Sequence, residues 1–262
     1  MSQATPITSA QIKKFASLKQ KKYRDAEHLF IAEGIKICEE LLKSKYKCKY
    51  LIYDSMLSEK GTIDHLIELA QENNISLLSA HQWQINSIAS TSTPQGVIAI
   101  GAIPENKIDF NIDSFVGFEN IQDPGNLGTN IRSAYWFGIN NIIISKNSVD
   151  IYNTKTIRST MGNLFHLNVI YVEDIIEYCK INFPTHKLYA ASLDATMELS
   201  EIITPSKYGL IFGNESKGLT QDLLNKIENK YIIKGNKNAD SLNLAISVGI
   251  SLYHFTLGKI IN

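Results

Sequence analysis

Three short segments near the end of the chain combine glycine, amide, hydroxyl and charged side chains in patterns that could bind a ligand. The first runs from Asn120 to Arg132, the second from Phe212 to Leu219 and the third from Ser241 to Ala245. Each follows an apolar run of strand type, and loops at strand ends are where α/β proteins bind their ligands. Together, the three segments indicate an enzyme.

The first segment places a cation beyond a turn. The stretch 123–126, Asp-Pro-Gly-Asn, has turn-forming composition directly before a predicted helix, and the free N–H groups at a helix N-terminus favour anions. Arg132 follows Asn126 by six residues, about 9 Å along a helix axis, so the two line one rim only if the loop folds back. A guanidinium here could hold a phosphate or a substrate hydroxyl; the alternative is a surface ion pair.

The second segment brackets an acid between glycines, with Gly213, Asn214 and Glu215 ahead of Gly218. Glycine lets the backbone approach a ligand closely, so exposed main-chain groups could pair with a purine edge. The spacing matches neither the P-loop nor the dinucleotide fingerprint. Taken alone, this segment could equally be a simple turn.

The third segment opens a long apolar helix that is expected to form part of the core. Ser241 is a candidate N-cap for this helix, because a serine side chain can accept from a free N–H of the first turn. Asn243 lies in the predicted first turn, where it could equally face a ligand.

Composition indicates a protein of neutral charge with a basic end. The chain has 262 residues, 44% of them hydrophobic, with 26 basic and 26 acidic side chains, which is enough for two modest domains. Residues 1–24 have no acidic side chain and these basic ones: Lys13, Lys14, Lys19, Lys21, Lys22 and Arg24. This asymmetry favours local binding of a polyanion, with a solvated helix face as the alternative.

Cysteine usage and hydropathy exclude several protein classes. Cys38, Cys48 and Cys179 are scattered, so the sequence indicates neither a disulfide framework nor a zinc site. No stretch approaches the roughly 18 to 20 apolar residues of a membrane span, and the N-terminus lacks the apolar region of a signal peptide. We expect a cytoplasmic protein with no membrane partner and no metal.

The hydrophobic pattern predicts two α/β domains, 1–104 and 108–262. In the first, helices at 33–42, 63–70 and 83–88 alternate with strands at 50–53, 75–78 and 97–100. The Pro-Glu-Asn-Lys stretch at 104–107 breaks the pattern. In the second, the predicted strands are 114–118, 141–145, 167–171, 187–191, 208–213 and 230–234, and the predicted helices are 126–137, 153–160, 173–181, 219–227 and 241–260. This alternation favours a parallel sheet covered on both faces, with ligands at the carboxyl ends of its strands.

Taken jointly, the three segments resemble the SpoU branch of the SPOUT RNA methyltransferases. The family's first motif, NxxDPxNxGxxxRxA, is matched in register by Asn120, Asp123, Pro124, Asn126, Gly128, Arg132 and Ala134. Its Gly-x-Glu-x-x-Gly loop is matched by Gly213, Glu215 and Gly218, and its Ser-Leu-Asn motif by Ser241, Leu242 and Asn243. Residues 158–167 look like the family's intervening segment. Residues 20–100 are more loosely similar to the substrate-binding domain of its ribosomal-RNA members.

One position departs from the family's pattern. The family usually has proline after the isoleucine that precedes its third motif, whereas Lys234 follows Ile233 here, and Lys237 stands at a usual glycine position. Because proline fixes φ, its loss could soften the cofactor loop.

The resemblance implies a parallel-sheet SPOUT domain with a deep trefoil knot, preceded by a small α/β RNA-binding domain. Periodicity alone would not suggest a knot, since knots are nearly absent from proteins. The resemblance also implies a homodimer formed through the C-terminal domain, with S-adenosylmethionine bound in the knot.

The activity implied is methyl transfer from S-adenosylmethionine to a ribose 2′-hydroxyl, which requires in-line positioning and removal of a proton. By resemblance Arg132 contacts the hydroxyl, and because a guanidinium keeps its proton we interpret it as an orienting and charge-stabilising group. Asn126, Ser241 and Asn243 would bind ribose and phosphate, while Glu215 would orient Arg132 or the loop. The cofactor would be held by the groups around Gly213, Asn214, Gly218, Ile233 and Leu242.

The substrate expected is ribosomal RNA, because a separate N-terminal domain exceeds what a transfer-RNA enzyme needs. The residues expected to bind RNA are Lys19, Lys21, Lys22 and Arg24. Two alternatives stay open: a transfer-RNA 2′-O-methyltransferase, and a catalytically silent RNA-binding dimer. A nucleotide-binding oxidoreductase is disfavoured because the glycine fingerprint is absent.

Overall fold

The computed structural model describes residues 4–105, 111–236 and 241–257. The helices are α1 (Ser9–Ser17), α2 (Lys21–Glu27), α3 (Ile35–Lys43), α4 (Ser55–Glu59), α5 (Asp64–Glu72), α6 (Gln82–Ile88), α7 (Pro124–Trp136), α8 (Thr154–Thr160), α9 (Ile175–Asn182), α10 (Gln221–Lys226) and α11 (Leu244–Thr256). The strands are β1 (Thr5–Pro6), β2 (Leu29–Glu33), β3 (Cys48–Asp54), β4 (Ser76–Ala80), β5 (Val97–Ala102), β6 (Ser114–Phe118), β7 (Asn141–Ser145), β8 (Asn168–Val172), β9 (Lys187–Ala191), β10 (Met197–Glu198), β11 (Tyr208–Phe212) and β12 (Asn229–Ile232).

The described residues divide into two compact units. The first unit contains the residues up to Glu105 together with Asp150–His166, and the second contains those from Asn111 to Val149 and from Leu167 onwards. Residues 150–166, which the sequence analysis assigns to the range 108–262, therefore pack within the first unit. The chain passes between the units three times rather than through a single linker.

The first unit is built on a five-stranded mixed sheet of order β1-β4-β3-β5-β2. β1 and β3 run parallel to β4, whereas β5 runs antiparallel to both β3 and β2. Glu33, predicted to begin a helix, is instead the last residue of β2 and pairs with Ile98. Gly34, at φ +102°, turns the chain into α3, so this helix begins two residues later than predicted.

The second unit is built on a seven-stranded sheet of order β10-β12-β9-β11-β6-β7-β8. All of its strand pairs are parallel, which confirms the predicted α/β class. Phe115, Ile143 and Ile211 form a core with residues of α9 and α10. α11 is joined to the sheet by buried tyrosines, since Tyr231 Oη donates to Ser251 Oγ at 2.8 Å and Tyr208 Oη to the Phe255 carbonyl at 3.2 Å. The trefoil knot stays a prediction, and Lys237 lies outside the described residues.

Aromatic stacking and a buried ion pair hold residues 150–166 in the first unit. The Phe30 ring stacks on those of Tyr152 and Phe165, with centroids 5.1 and 5.7 Å apart. Arg24 is 2% exposed, and its Nη2 lies 2.6 Å from Asp150 Oδ2. This burial is at odds with the prediction that Arg24 binds RNA, because a guanidinium committed to a neighbouring carboxylate is not presented to a phosphate.

Two carbonyl groups complete the surroundings of Arg24. Its Nη1 donates to the Leu18 and Lys19 oxygens at 2.8 and 2.9 Å, while Nε donates to Asp150 at 2.9 Å. The guanidinium of Arg24 therefore links the turn between α1 and α2 to the start of the segment 150–166.

We expect Arg24→Met to destabilise the first unit by about 3–5 kcal/mol, because it leaves the Asp150 carboxylate and two carbonyls without their donor. Urea unfolding followed by circular dichroism measures the change. Lys22→Met, at an exposed position on the same helix, is the matched control and should shift the unfolding midpoint little. Unchanged stability of Arg24→Met together with loss of RNA binding would restore Arg24 as an RNA ligand.

Candidate functional site

A cavity of about 500 Å³ opens in the second unit at the carboxyl ends of three adjacent strands, β12, β9 and β11. This size is typical of sites that bind small molecules and cofactors, which span roughly 300–1,000 Å³. Its lining includes these predicted residues: Gly213, Asn214, Glu215, Gly218, Ile233, Ser241 and Leu242. The structure thus brings the second and third segments to one place.

The loop after β11 closes on itself, and this closure requires glycine at both ends. Asn214 and Gly218 exchange two backbone hydrogen bonds of 2.9 Å. A Cβ on Gly213 would lie 2.3 Å from backbone atoms of Gly218 and Leu219, so a side chain there would push the loop open. Gly218 has φ +66°, a conformation that other residues adopt at a cost.

Asn214 organises this loop with its side chain. Its Oδ1 accepts from the N–H groups of Ser216 and Lys217 at 3.0 and 3.1 Å. Its Nδ2 donates to the Asn120 carbonyl at 2.9 Å, which links the loop to the one that follows β6. Because its backbone N–H and carbonyl are also bonded to Gly218, Asn214 shapes the loop with both its side chain and its main chain.

The Glu215 carboxylate binds the first segment rather than Arg132. Its Oε1 accepts from Asn126 Nδ2 at 3.3 Å and from the Asp123 N–H at 3.4 Å, and Oε2 accepts from the Gln122 N–H at 3.5 Å. Of the two roles expected for Glu215, orienting Arg132 or orienting the loop, this geometry favours the loop.

α7 begins as the turn chemistry of the first segment predicts, although two residues earlier. Asp123 is the N-cap, its Oδ1 accepting from the Asn126 N–H at 2.7 Å, and Pro124 occupies the first turn. Arg132 lies on the exposed side of α7. It is not among the cavity residues and has no hydrogen-bond or ion-pair partner within the described ranges, so its guanidinium is available to a ligand.

The cap of the closing helix is Asn243 rather than Ser241. Asn243 Oδ1 accepts from the Ala245 N–H at 2.8 Å, and α11 begins at Leu244, three residues later than predicted. Asn243 is therefore a structural cap and is not among the cavity residues. Ser241 is exposed and lines the cavity, so its hydroxyl can face a ligand.

An ion pair stands beside the position where the family's proline is missing. Lys234 Nζ lies 2.6 Å from Glu198 Oε1, and the hydrogen bond that the ammonium donates to this carboxylate raises the pKa of Lys234. Glu198 belongs to β10, which pairs with β12 next to Ile233. The loop after β12 is thus joined to the edge strand of the sheet by an ion pair.

The lysines expected to bind RNA lie in the first unit and differ in what they contact. Lys19 Nζ donates to the carbonyls of Ser87 and Ala89 at 3.0 Å, and Lys21 pairs with Asp25 at 2.6 Å. Lys22 is exposed, with its ammonium 5.8 Å from the centroid of the Tyr23 ring. Of these three, Lys22 is thus the residue whose charge is most open to a phosphate.

One wall of the cavity is formed by residues that were not predicted from the sequence. This wall contains the residues that follow β9, which are Ser192, Leu193 and Asp194. The last two residues of β12, Tyr231 and Ile232, also line the cavity. The rule that located the other loops, that ligands bind beyond the carboxyl ends of parallel strands, applies equally to the end of β9.

No helix in the ranges 4–105, 111–236 and 241–257 is both long and apolar enough to cross a membrane. Within the same ranges, His, Cys, Asp and Glu side chains nowhere gather in threes suited to a metal ion.

Comparison with known proteins relates both units to RNA-modifying enzymes. Residues 113–253 match the model of the SpoU rRNA Methylase family, and residues 9–99 match that of an MRM3-like substrate binding domain. The chain is 28% identical over 263 residues to the 23S rRNA (guanosine(2553)-2′-O)-methyltransferase RlmP of Bacillus subtilis, with 97% of this chain and 99% of that protein covered.

Solved structures agree with this relationship. The AdoMet-bound rRNA methyltransferase from Sinorhizobium meliloti has a TM-score of 0.83 at 28% identity, covering 97% of each chain. The SpoU methyltransferase AviRb from Streptomyces viridochromogenes, in complex with AdoMet, has a TM-score of 0.85 over 95% of this chain and 97% of that one; at 20% identity it supports the fold alone. Because the family model spans more than half of the sequence, the chain belongs to the SpoU rRNA methylase family.

Proposed function

We propose that this protein transfers a methyl group from S-adenosylmethionine to a ribose 2′-hydroxyl of ribosomal RNA. The observation that carries the proposal is the cavity at the ends of β12, β9 and β11, lined by two of the family's three motifs and joined to the first through Glu215. Relatives named as rRNA 2′-O-methyltransferases support the class of substrate.

The residues of the cavity fit the cofactor. Main-chain groups of the loop 213–218 offer donors and acceptors to a purine, while Leu193 and Leu242 supply apolar surface. Asp194 adds a carboxylate to the lining, which suits a cationic ligand. We expect the adenosine and methionine parts to be held by Gly213, Gly218, Ile233 and Leu242, with Asn214 beside them keeping the loop closed.

The bound cofactor would supply an electrophilic methyl group, and the protein's task would be to place the ribose and remove its proton. Arg132, exposed and unpaired within the described residues, would contact the RNA and stabilise negative charge on the 2′-oxygen. The Ser241 hydroxyl would hold ribose or phosphate at the cavity. Asn126 and Glu215 would fix the loop that carries Arg132 into α7.

We further infer a homodimer formed through α11. Three exposed apolar side chains at helical spacing on α11, with one more just beyond each end of the helix, form what is here called the α11 stripe. Each is between 38% and 64% exposed: Leu242, Ile246, Ile250, Tyr253 and Leu257. Trp136, on α7 against which α11 packs, is 77% exposed. A contiguous apolar surface of this kind is typical of a protein interface. Since Leu242 also lines the cavity, a second copy on the stripe would border the site.

The compartment we propose is the cytoplasm. The three cysteines are free thiols, and disulfides rarely persist in reducing compartments.

Comparing 2′-O-methyl sites in total RNA from cells with and without the protein would identify the nucleotide. A new unmethylated site in transfer RNA rather than ribosomal RNA would redirect the proposal to the transfer-RNA alternative.

We expect Arg132→Ala to lower the rate of methyl transfer by about two orders of magnitude or more, the scale of losing one positioned charged group. S-adenosylmethionine binding, measured by calorimetry, should stay near normal at about one site per chain, because Arg132 is not a cavity residue. Activity within a few-fold of the parent protein would reduce Arg132 to a surface residue. Absence of cofactor binding by the parent protein would favour the silent RNA-binding dimer.

We expect Ile250→Asp to convert the dimer into a monomer, because it places a charge in the middle of the α11 stripe and a buried unpaired charge is costly. Light scattering after size-exclusion chromatography measures the mass. Ile181→Asp, at a 68% exposed position on α9, is the matched control and should leave the mass unchanged. If Ile250→Asp stays dimeric, the interface lies elsewhere.

A further inference from the structure

Trp83 is a large aromatic side chain that the first unit leaves in solvent. It is 62% exposed and lies on α6, whose residues Ile85 and Ile88 are buried in the core. At 100° per residue, Trp83 points away from both of these positions. Burying a tryptophan ring contributes much to the free energy of folding or binding. A ring left in solvent therefore points to a role in binding.

The surroundings of Trp83 are polar and uncharged. Gln82, Asn86 and Ser87 are exposed on the same helix, and Ser87 Oγ donates to the Trp83 carbonyl at 2.9 Å. Residues 81–96 include no Asp, Glu, Lys or Arg. The ring therefore stands alone among amide and hydroxyl groups. It is not the centre of an apolar patch, as the core of a protein interface would be.

Positive charge lies beside this surface. α6 packs against α1, and Lys19 Nζ donates to the carbonyls of Ser87 and Ala89 at the end of α6. The carboxylates of Asp25 and Glu27 are each paired with a lysine at 2.6 Å. These two pairs neutralise Lys14 and Lys21, whereas Lys13, Lys19 and Lys22 have no carboxylate partner within the described residues. The positive charge that remains on this part of the chain favours an anionic ligand.

We propose that Trp83 is a stacking platform for an unpaired nucleotide of the RNA substrate. The inference rests on the proposed function, because it takes the ligand to be RNA. Unpaired bases stack on aromatic rings, and neighbouring lysines attract the phosphates. The amides of Gln82 and Asn86 are hydrogen-bonded to each other at 2.9 Å, which leaves Gln82 Oε1 and Asn86 Nδ2 for a base edge on the same side of the helix.

The test compares full-length Trp83→Ala and Trp83→Phe for binding to a fluorescein-labelled single-stranded RNA oligonucleotide and to the same strand in a duplex. We expect Trp83→Ala to weaken single-strand binding about ten-fold or more, the scale of one lost stacking contact. Trp83→Phe should retain most of the affinity, and the duplex should be affected less. Cofactor affinity and the unfolding midpoint should not change, since the side chain is exposed.

Met56→Ala is the matched control, because Met56 is a 54% exposed apolar side chain elsewhere in the first unit. In a Trp136→Phe background, the same RNA should quench the emission of Trp83. The proposal would be overturned if Trp83→Ala bound the single strand as tightly as the parent protein does. It would also be overturned if Met56→Ala weakened single-strand binding as much as Trp83→Ala. A parent protein that binds RNA but neither binds the cofactor nor methylates would refute the proposed function, while the stacking comparison would still decide this inference.

Discussion

The Glu215 carboxylate joins the two loops on which the candidate site is built. It reaches from the loop after β11 to Asn126 and to the N–H groups of Gln122 and Asp123 in the loop after β6, at 3.3–3.5 Å. Each contact is long, but a carboxylate that accepts several donors holds them more firmly than a neutral acceptor would. Loops lack the regular backbone hydrogen bonds that fix neighbouring strands, so the relative position of two loops depends on side-chain contacts of this kind.

The order of strands makes this contact possible. β6 and β11 are parallel neighbours, so their loops emerge side by side at one edge of the sheet. Two more bonds cross the same gap, from Asn214 Nδ2 to the Asn120 carbonyl and from the Thr220 N–H to Glu119. The cavity then forms where β9 and β12 continue the sheet. Motifs far apart in sequence thereby become one site.

Sequence predicted the regular core well and the irregular parts less well. The ranges 114–118, 141–145 and 187–191 are strands as predicted, because each is an apolar run between turn residues. The elements not predicted are α1, α2, α4, β1, β2 and β10. Of these, β1 and β10 have only two residues each, too few to show a period. Arg24 was predicted to bind RNA because it ends a basic stretch without acids. Its partner Asp150 lies 126 positions away, a pairing that no local pattern reveals. Ser241 was preferred as the cap although Asn243 performs that role, because both residue types cap helices equally well.

The most direct test of this account is the methyl-transfer rate of Glu215→Gln. The amide keeps the shape of the side chain but presents an N–H where a carboxylate oxygen accepted, so the loop after β6 loses acceptors. We predict a rate about ten-fold lower or more, from the 1.5–3 kcal/mol typical of hydrogen bonds to a charged group. Glu228→Gln, the same change at an exposed position of the second unit, should keep the parent rate. A Glu215→Gln protein as active as Glu228→Gln would contradict the claim that this carboxylate holds the site together.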